Sequence, residues 1–184
     1  MSQERYPTIT IDLTLDRSTA KDVVHGVLHA ILFHRLFGIV KPQTFEILDV
    51  TLPGVSDPNI EKLVYDKVGV YWRGIDAAPN KRGQIIVTFS EKRPKKSWFQ
   101  VYMGEEEVPW EKWIINTELK QPKTERDRQD FSAELSAALR RAVMTMLTHT
   151  SSDDGRAAVP LITNQDLSPF PLRIAICIGG EEIG

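Results

Sequence analysis

A single cysteine, Cys177, stands in the 184-residue sequence, which excludes an intrachain disulfide and suits a reducing compartment. Long apolar runs are missing too. The longest are about ten residues, against roughly 20 for a helix that crosses a bilayer, so no transmembrane insertion is expected. The opening MSQERYPTIT has no apolar core, and no secretory leader is expected. Neither sign of charge dominates: 23 Lys and Arg face 25 Asp and Glu, a net charge of -2. Such a balance gives no overall pull toward nucleic acid or an anionic membrane. Motifs that carry chemistry are also absent. There is no G-x-S-x-G, no phosphate-binding P-loop, no G-x-G-x-x-G and no carboxylate constellation. These absences predict a cytosolic or nuclear protein with no enzymatic activity, no catalytic residue, no metal and no cofactor.

What is present reads as an ordinary globular chain, 41% hydrophobic and 26% charged. Its length predicts one domain over 1–184. Ile9, Ile11, Leu13 and Leu15 alternate with polar residues, the period of a half-buried strand. Val24, Val27, Leu28 and Ile31 share one helical face and predict a first helix from Ser18 to Phe37. Phe45 to Leu52 reads as one strand, with a turn at Pro53-Gly54. Asp57-Pro58 is a cap followed by a first-turn proline, opening a helix that runs to Arg73. Gln84–Phe89 and Val108–Leu119 read as strands. Thr124 to His149 is the longest helix, with a stripe from Phe131 through Leu135, Leu139 and Met146 to Leu147. Ser151 to Gly155 reads as a polar loop, and Pro171–Ile178 as a closing strand within a C-terminal segment, 150–184. Three helices, at least five strands and few βα alternations predict an α+β fold with helices on a mostly antiparallel sheet.

Five side chains invite chemical readings. His25 and His29 have the spacing of helical metal ligands, but Gly26 stands where the zinc-protease motif needs glutamate. The reading that remains is two partly exposed histidines off the apolar stripe. Arg35 falls near the centre of that stripe, so it either emerges past the core edge or pairs with a carboxylate. Cys177 with His149 as base would be a nucleophile pair, but its alternating strand offers nothing to lower its pKa.

The informative segment is KRPKKSWFQVYMGEEEVPWEKW, Lys92 to Trp113. Pro94 is read as breaking the strand, which makes 92–107 a protruding loop. Trp98 and Phe99 are adjacent, so on a strand at least one ring would face outward, and exposed aromatics are the usual anchors of protein interfaces. Alternatively the rings fold back on the core as a lid. A competing function, a nucleic-acid-binding module, rests on the cations at 92–96 beside these rings.

Three segments taken together resemble the autophagy-related protein 101 family: VLHAILFHR (Val27–Arg35), VPWEKW (Val108–Trp113) and TERDRQ (Thr124–Gln129). The resemblance implies a HORMA fold, three helices on an antiparallel sheet with a rearrangeable C-terminal region, and no enzymatic activity. It implies a HORMA–HORMA heterodimer with autophagy-related protein 13 inside the autophagy-initiation kinase complex at the phagophore assembly site. Trp98 and Phe99 match the family's tryptophan–phenylalanine finger, which recruits downstream autophagy factors, although animal members place a proline between the two rings. HORMA pairs commonly dimerise through the third helix, which makes its exposed Arg126 and Arg140 candidate dimer-surface residues. The same fold in an adaptor of another pathway is the alternative within this resemblance.

Overall fold

The alternating N-terminal residues form β1 (Thr8–Leu15), with Ile11, Leu13 and Leu15 turned into the core. The structure, a computed structural model, describes residues 5–96, 98 and 102–184. After β1 come α1 (Ala20–Arg35), β2 (Pro42–Ile47), β3 (Val50–Val55), α2 (Pro58–Ala77), β4 (Arg82–Lys96) and β5 (Tyr102–Leu119). The chain then forms α3 (Glu125–Ser151), a short α4 (Asp153–Ala158), β6 (Leu172–Ile178) and β7 (Glu181–Glu182). One sheet has the order β1-β5-β4-β6-β7; β1 runs parallel to β5 and the other pairs are antiparallel. The β2–β3 hairpin stands apart from it. The fold is α+β and HORMA-like, with helices on a mostly antiparallel sheet as the sequence predicts, and α4 adds one short helix to the three expected.

Alternation over 85–89 of β4 and 113–119 of β5 decides which sheet face is covered. Ile85, Val87, Phe89, Trp113, Ile115 and Leu119 are buried. The opposite face carries the chain of hydrogen bonds from Gln84 to Asn116 and from Asn116 to Asp12. All three long helices meet the buried face. Tyr71 of α2 donates to Thr117 of β5, and Trp113 packs edge-on against His149 of α3. Helix starts follow their caps. The Asp57 carboxylate accepts from the Asn59 and Ile60 amides ahead of α2, and Thr124 forms a reciprocal capping box with Asp127 at α3.

Helix α1 is buried on nearly all sides, between the sheet, α2, α3 and the β2–β3 hairpin. This corrects the reading of His29, whereas His25 is partly exposed as expected. One apolar stripe is the pattern of a surface helix, whereas a central helix has no solvent face. His29 is fully buried, with Nδ1 accepting from the Val55 amide of β3. His25 is half-buried against His29 and Phe45. Among the described residues, no group of three or more His, Cys, Asp or Glu is placed to hold a metal ion.

Other boundaries also move. The single strand expected over Phe45–Leu52 is two strands joined at Leu48-Asp49, with Leu48 in the left-handed region at φ 54. Pro53 and Gly54, expected to turn, lie inside β3, where Gly54 leaves room for the Phe45 ring. Ser151–Gly155, expected as a loop, is the junction of two helices, and Ser152 caps both. The protruding loop expected over 92–107 is mostly strand. Pro94 stays within β4, opposite Glu105, because β6 pairs with β4 only as far as Phe89, and a proline is tolerated on an open edge.

Burial lowers the His29 pKa from 6.5 to about 4, aided by the neighbouring His25. The unfolded chain therefore takes up this proton before the folded chain does, so stability is lost as pH falls from 6.5 toward about 4. Protonated Nδ1 could no longer accept from Val55. We expect His29→Leu to lower stability at neutral pH while flattening its decline between about pH 6.5 and pH 4.5. Urea denaturation at those pH values measures it; parallel declines for the two proteins would count against His29.

Candidate functional site

The residues singled out by the sequence lie in three places: a buried centre, the outer surface of α3, and the tip of the β4–β5 arm. The centre forms around Glu111, which is fully buried. Alternation puts it there, opposite Phe89 and two residues before Trp113 on the covered face of the sheet, and a bulge follows directly beside it. Phe89 pairs with Glu111 but Ser90 pairs with Pro109, so Trp110 is the extra residue and the alternation slips. Trp110 and Glu111, though adjacent, are both buried.

Glu111 accepts from every neighbouring donor its oxygens can reach. Arg35 Nε donates to Oε2 and Arg35 Nη2 to Oε1, each at 2.7 Å. Trp113 Nε1 donates to Oε2 at 2.9 Å, and His149 Nε2 donates to Oε1. Four acceptor positions on the carboxylate are thereby filled. Arg35, only 3% exposed, also donates through Nη2 to the Gly155 carbonyl at 2.9 Å and lies over the Trp110 ring. Of the two readings open for Arg35, pairing with a carboxylate is the one found. Gly155 is required by close approach, since a Cβ there would lie 1.8 Å from the His149 carbonyl oxygen. The cluster joins α1, β5, α3 and α4. It also engages His149, whereas Cys177 lies on β6 in register with Gln84, whose side chain belongs to the opposite face of the sheet. The two are not brought together as nucleophile and base.

On α3 the inward residues Leu135, Leu139, Ala142 and Met146 are buried. Leu147, expected within that stripe, is 46% exposed, and Met144 is 59% exposed. Both belong to the outer surface, where Met144 lines an open groove of about 620 Å³ with Arg140, Arg141 and Thr148. Arg126 is exposed near the start of the helix. Arg140 is exposed but pairs with Asp49 in the β2–β3 turn. The Asp49 carboxyl is held below its usual range, chiefly by a hydrogen bond with Ser136 and also by Arg140. Reading periodicity could not place Met144, because it never belonged to the stripe.

The arm comprises β4 and β5 beyond the bulge, and Trp98 stands at its turn, 85% exposed. The lid expectation fails for this ring. Phe99 lies outside the described residues. Arm cations oppose arm anions across the strands, Lys92 with Glu107 and Arg93 with Glu106.

The family profile described as autophagy-related protein 101 matches residues 12–166. Over 165 residues the chain is 32% identical to the autophagy-related protein 101 of Schizosaccharomyces pombe, covering 85% of this chain and 86% of that protein. Over 114 residues it is 31% identical to the protein of the same name from Arabidopsis thaliana, covering 60% of this chain and 52% of that one.

Removing one partner from the buried pair leaves the other charged and unpaired. Glu111→Ala is therefore expected to lower stability by about 3–5 kcal/mol. Arg35→Met combined with Glu111→Leu should cost less than the sum of the two single changes, since no lone charge then remains. Chemical denaturation of all four proteins tests this, and strictly additive losses would show that the two groups do not act as a pair.

Proposed function

The chain belongs to the autophagy-related protein 101 family, and from that premise we propose that it is a non-catalytic adaptor subunit of the autophagy-initiation kinase complex. In this reading it forms a HORMA–HORMA heterodimer with autophagy-related protein 13 and stabilises that partner. It works in the cytosol at the phagophore assembly site and recruits downstream autophagy factors through Trp98 and Phe99. Its autophagy-related role follows from the family; the partner and the surfaces are our proposal.

The observation that carries it is the exposed Trp98 at the end of a strand arm. A tryptophan placed in water at a turn contributes little to folding, and a large aromatic is the residue type that most often dominates interface energy. The dimer surface is assigned to the outside of α3, with Arg126 and Arg140 as candidate contacts. Exposed Met144 and Leu147 support that choice, because adjacent apolar side chains beside arginines suit the mixed character of protein interfaces. Nothing in this reading requires insertion in a membrane, and among the described residues no helix is long and apolar enough to cross one. The nucleic-acid reading is weakened by the register, since Lys92 and Arg93 stand opposite Glu107 and Glu106 rather than on an unopposed basic face.

Two measurements test the proposal. Trp98→Ala with Phe99→Ala is expected to change folding stability by no more than about 0.5 kcal/mol while abolishing recovery of downstream factors from starved cells. A large loss of stability would instead make the rings part of the core. Separately, Arg126→Ser with Met144→Asp is expected to weaken calorimetric binding to the autophagy-related protein 13 HORMA domain about tenfold or more. Unchanged affinity would move the dimer surface off α3.

A further inference from the structure

Beyond the bulge the arm leaves the sheet, keeping one hydrogen bond from the Ser90 amide to the Pro171 carbonyl at its base. The β4–β6 pairing ends at Phe89 and Leu172, and the β1–β5 pairing begins at Thr8 and Lys112. What continues outward, from Ser90 and Pro109 to Lys96 and Tyr102, is a two-stranded ribbon. An isolated ribbon is marginally stable in water, because it needs a third strand or an apolar face to pack on. Among the described residues no third strand pairs with it beyond Ser90, and the side chains from Lys92 to Lys95 and from Glu105 to Glu107 form no apolar face. Lys92, Arg93, Pro94, Lys95, Glu105, Glu106 and Glu107 are all exposed.

The side-chain register fills that deficit. Cross-strand partners share a face of the ribbon, and successive partners alternate between faces. Lys92 therefore stands opposite Glu107 on one face, and Arg93 opposite Glu106 on the other. Arg93 also pairs with Glu91 along its own strand. Both faces thus carry an opposed pair. A second feature fixes direction. Between the pairs Pro94–Glu105 and Lys96–Tyr102, β5 holds one residue more than β4, and Gly104 takes φ 98 at that bulge. The glycine supplies a conformation that other residues rarely adopt, so the bend toward Trp98 has a defined place.

We propose that the cross-strand charge pairs Lys92–Glu107 and Arg93–Glu106 hold the arm in one conformation, and so position Trp98 as a preorganised apolar anchor for a protein pocket. This rests on the reading of the arm as a recognition element and adds the residues that govern its presentation. These four are positioning residues. They act through the ribbon, since an anchor that is already ordered loses less freedom on binding. With its charges mutually opposed, the arm offers a partner its ring rather than a charged surface. The partner implied is an apolar, aromatic-accepting pocket on a protein.

The test needs no partner and is therefore independent of whether the finger's ligand has been found. Hydrogen exchange followed by mass spectrometry would be measured on the intact chain, on K92E/R93E, and on the full swap K92E/R93E/E106R/E107K. Amides at 90–96 and 102–109 report the arm, and those at 82–89 report the sheet as an internal control. K92E/R93E places like charges across both pairs and is expected to speed arm exchange roughly tenfold, leaving the sheet unchanged. The swap is expected to restore the original rate, and raising the salt should speed exchange in the parent arm only. In 5-fluorotryptophan-labelled protein, the Trp98 resonance, assigned with Trp98→Phe, should sharpen in K92E/R93E and broaden again in the swap. An arm that exchanges equally fast in the parent and in K92E/R93E, or a swap that fails to restore the rate, overturns the proposal. Either result would leave the Trp98→Ala recruitment test to stand or fall separately.

Discussion

Taking a carboxylate and a guanidinium out of water costs several kcal/mol for each ion, and attraction between them repays that only when geometry and further hydrogen bonds are good. Glu111 meets the condition with donors from Arg35, Trp113 and His149, and Arg35 meets it with Glu111, the Gly155 carbonyl and the Trp110 ring. Apolar side chains can slide past one another with small loss, whereas a two-point guanidinium–carboxylate fork works at one separation and one angle. The pair therefore sets how α1, β5 and the α3–α4 junction lie relative to one another. Gly155 follows from the same constraint, since any side chain there would strike the end of α3.

That constraint also roots the arm. The bulge beside Glu111 ends at the Ser90–Pro109 pair, and the ribbon that carries Trp98 begins at that pair. Trp110, inserted by the bulge, packs against Phe89 and Phe170 and so ties the arm's base to the segment leading into β6. An exposed ring at the end of a ribbon is useful as an anchor only if the ribbon leaves the body in a fixed direction. The buried pair and its bulge supply that direction at one end, and Gly104 supplies it at the other.

Element types were largely legible in the sequence because β1, β4, β5 and β6 alternate cleanly and the starts of α2 and α3 have strong caps. The errors have physical causes. His29 reads as partly exposed because a one-stripe wheel assumes one core face, and α1 has several. The β2–β3 turn was missed because Leu48-Asp49 lacks the glycine or asparagine that normally announces a left-handed turn, while Pro53-Gly54 resembles a turn yet sits in a strand. The arm was taken for a loop because Pro94 argues against a strand unless one edge is known to be open. Glu111 escaped notice altogether. A single glutamate between two tryptophans does not show which ring shares its face, and its partner Arg35 lies 76 residues away in the chain.

The three segments that carry the family resemblance turn out to share a purpose. Val27–Arg35 supplies central core residues and the buried guanidinium, and Val108–Trp113 supplies the bulge, the carboxylate and two indoles. Thr124 and Asp127 in the third segment cap α3. All three build the frame, and Arg126 alone among them is proposed to touch a partner. The recognition surfaces proposed for this chain then lie where the signature does not, on Trp98 and on Met144 and Leu147. Motifs of this kind identify a fold through residues whose replacement would collapse it. They say little about what the fold binds, because a binding residue must face water, and there neither packing nor hydrogen bonding dictates which side chain is present.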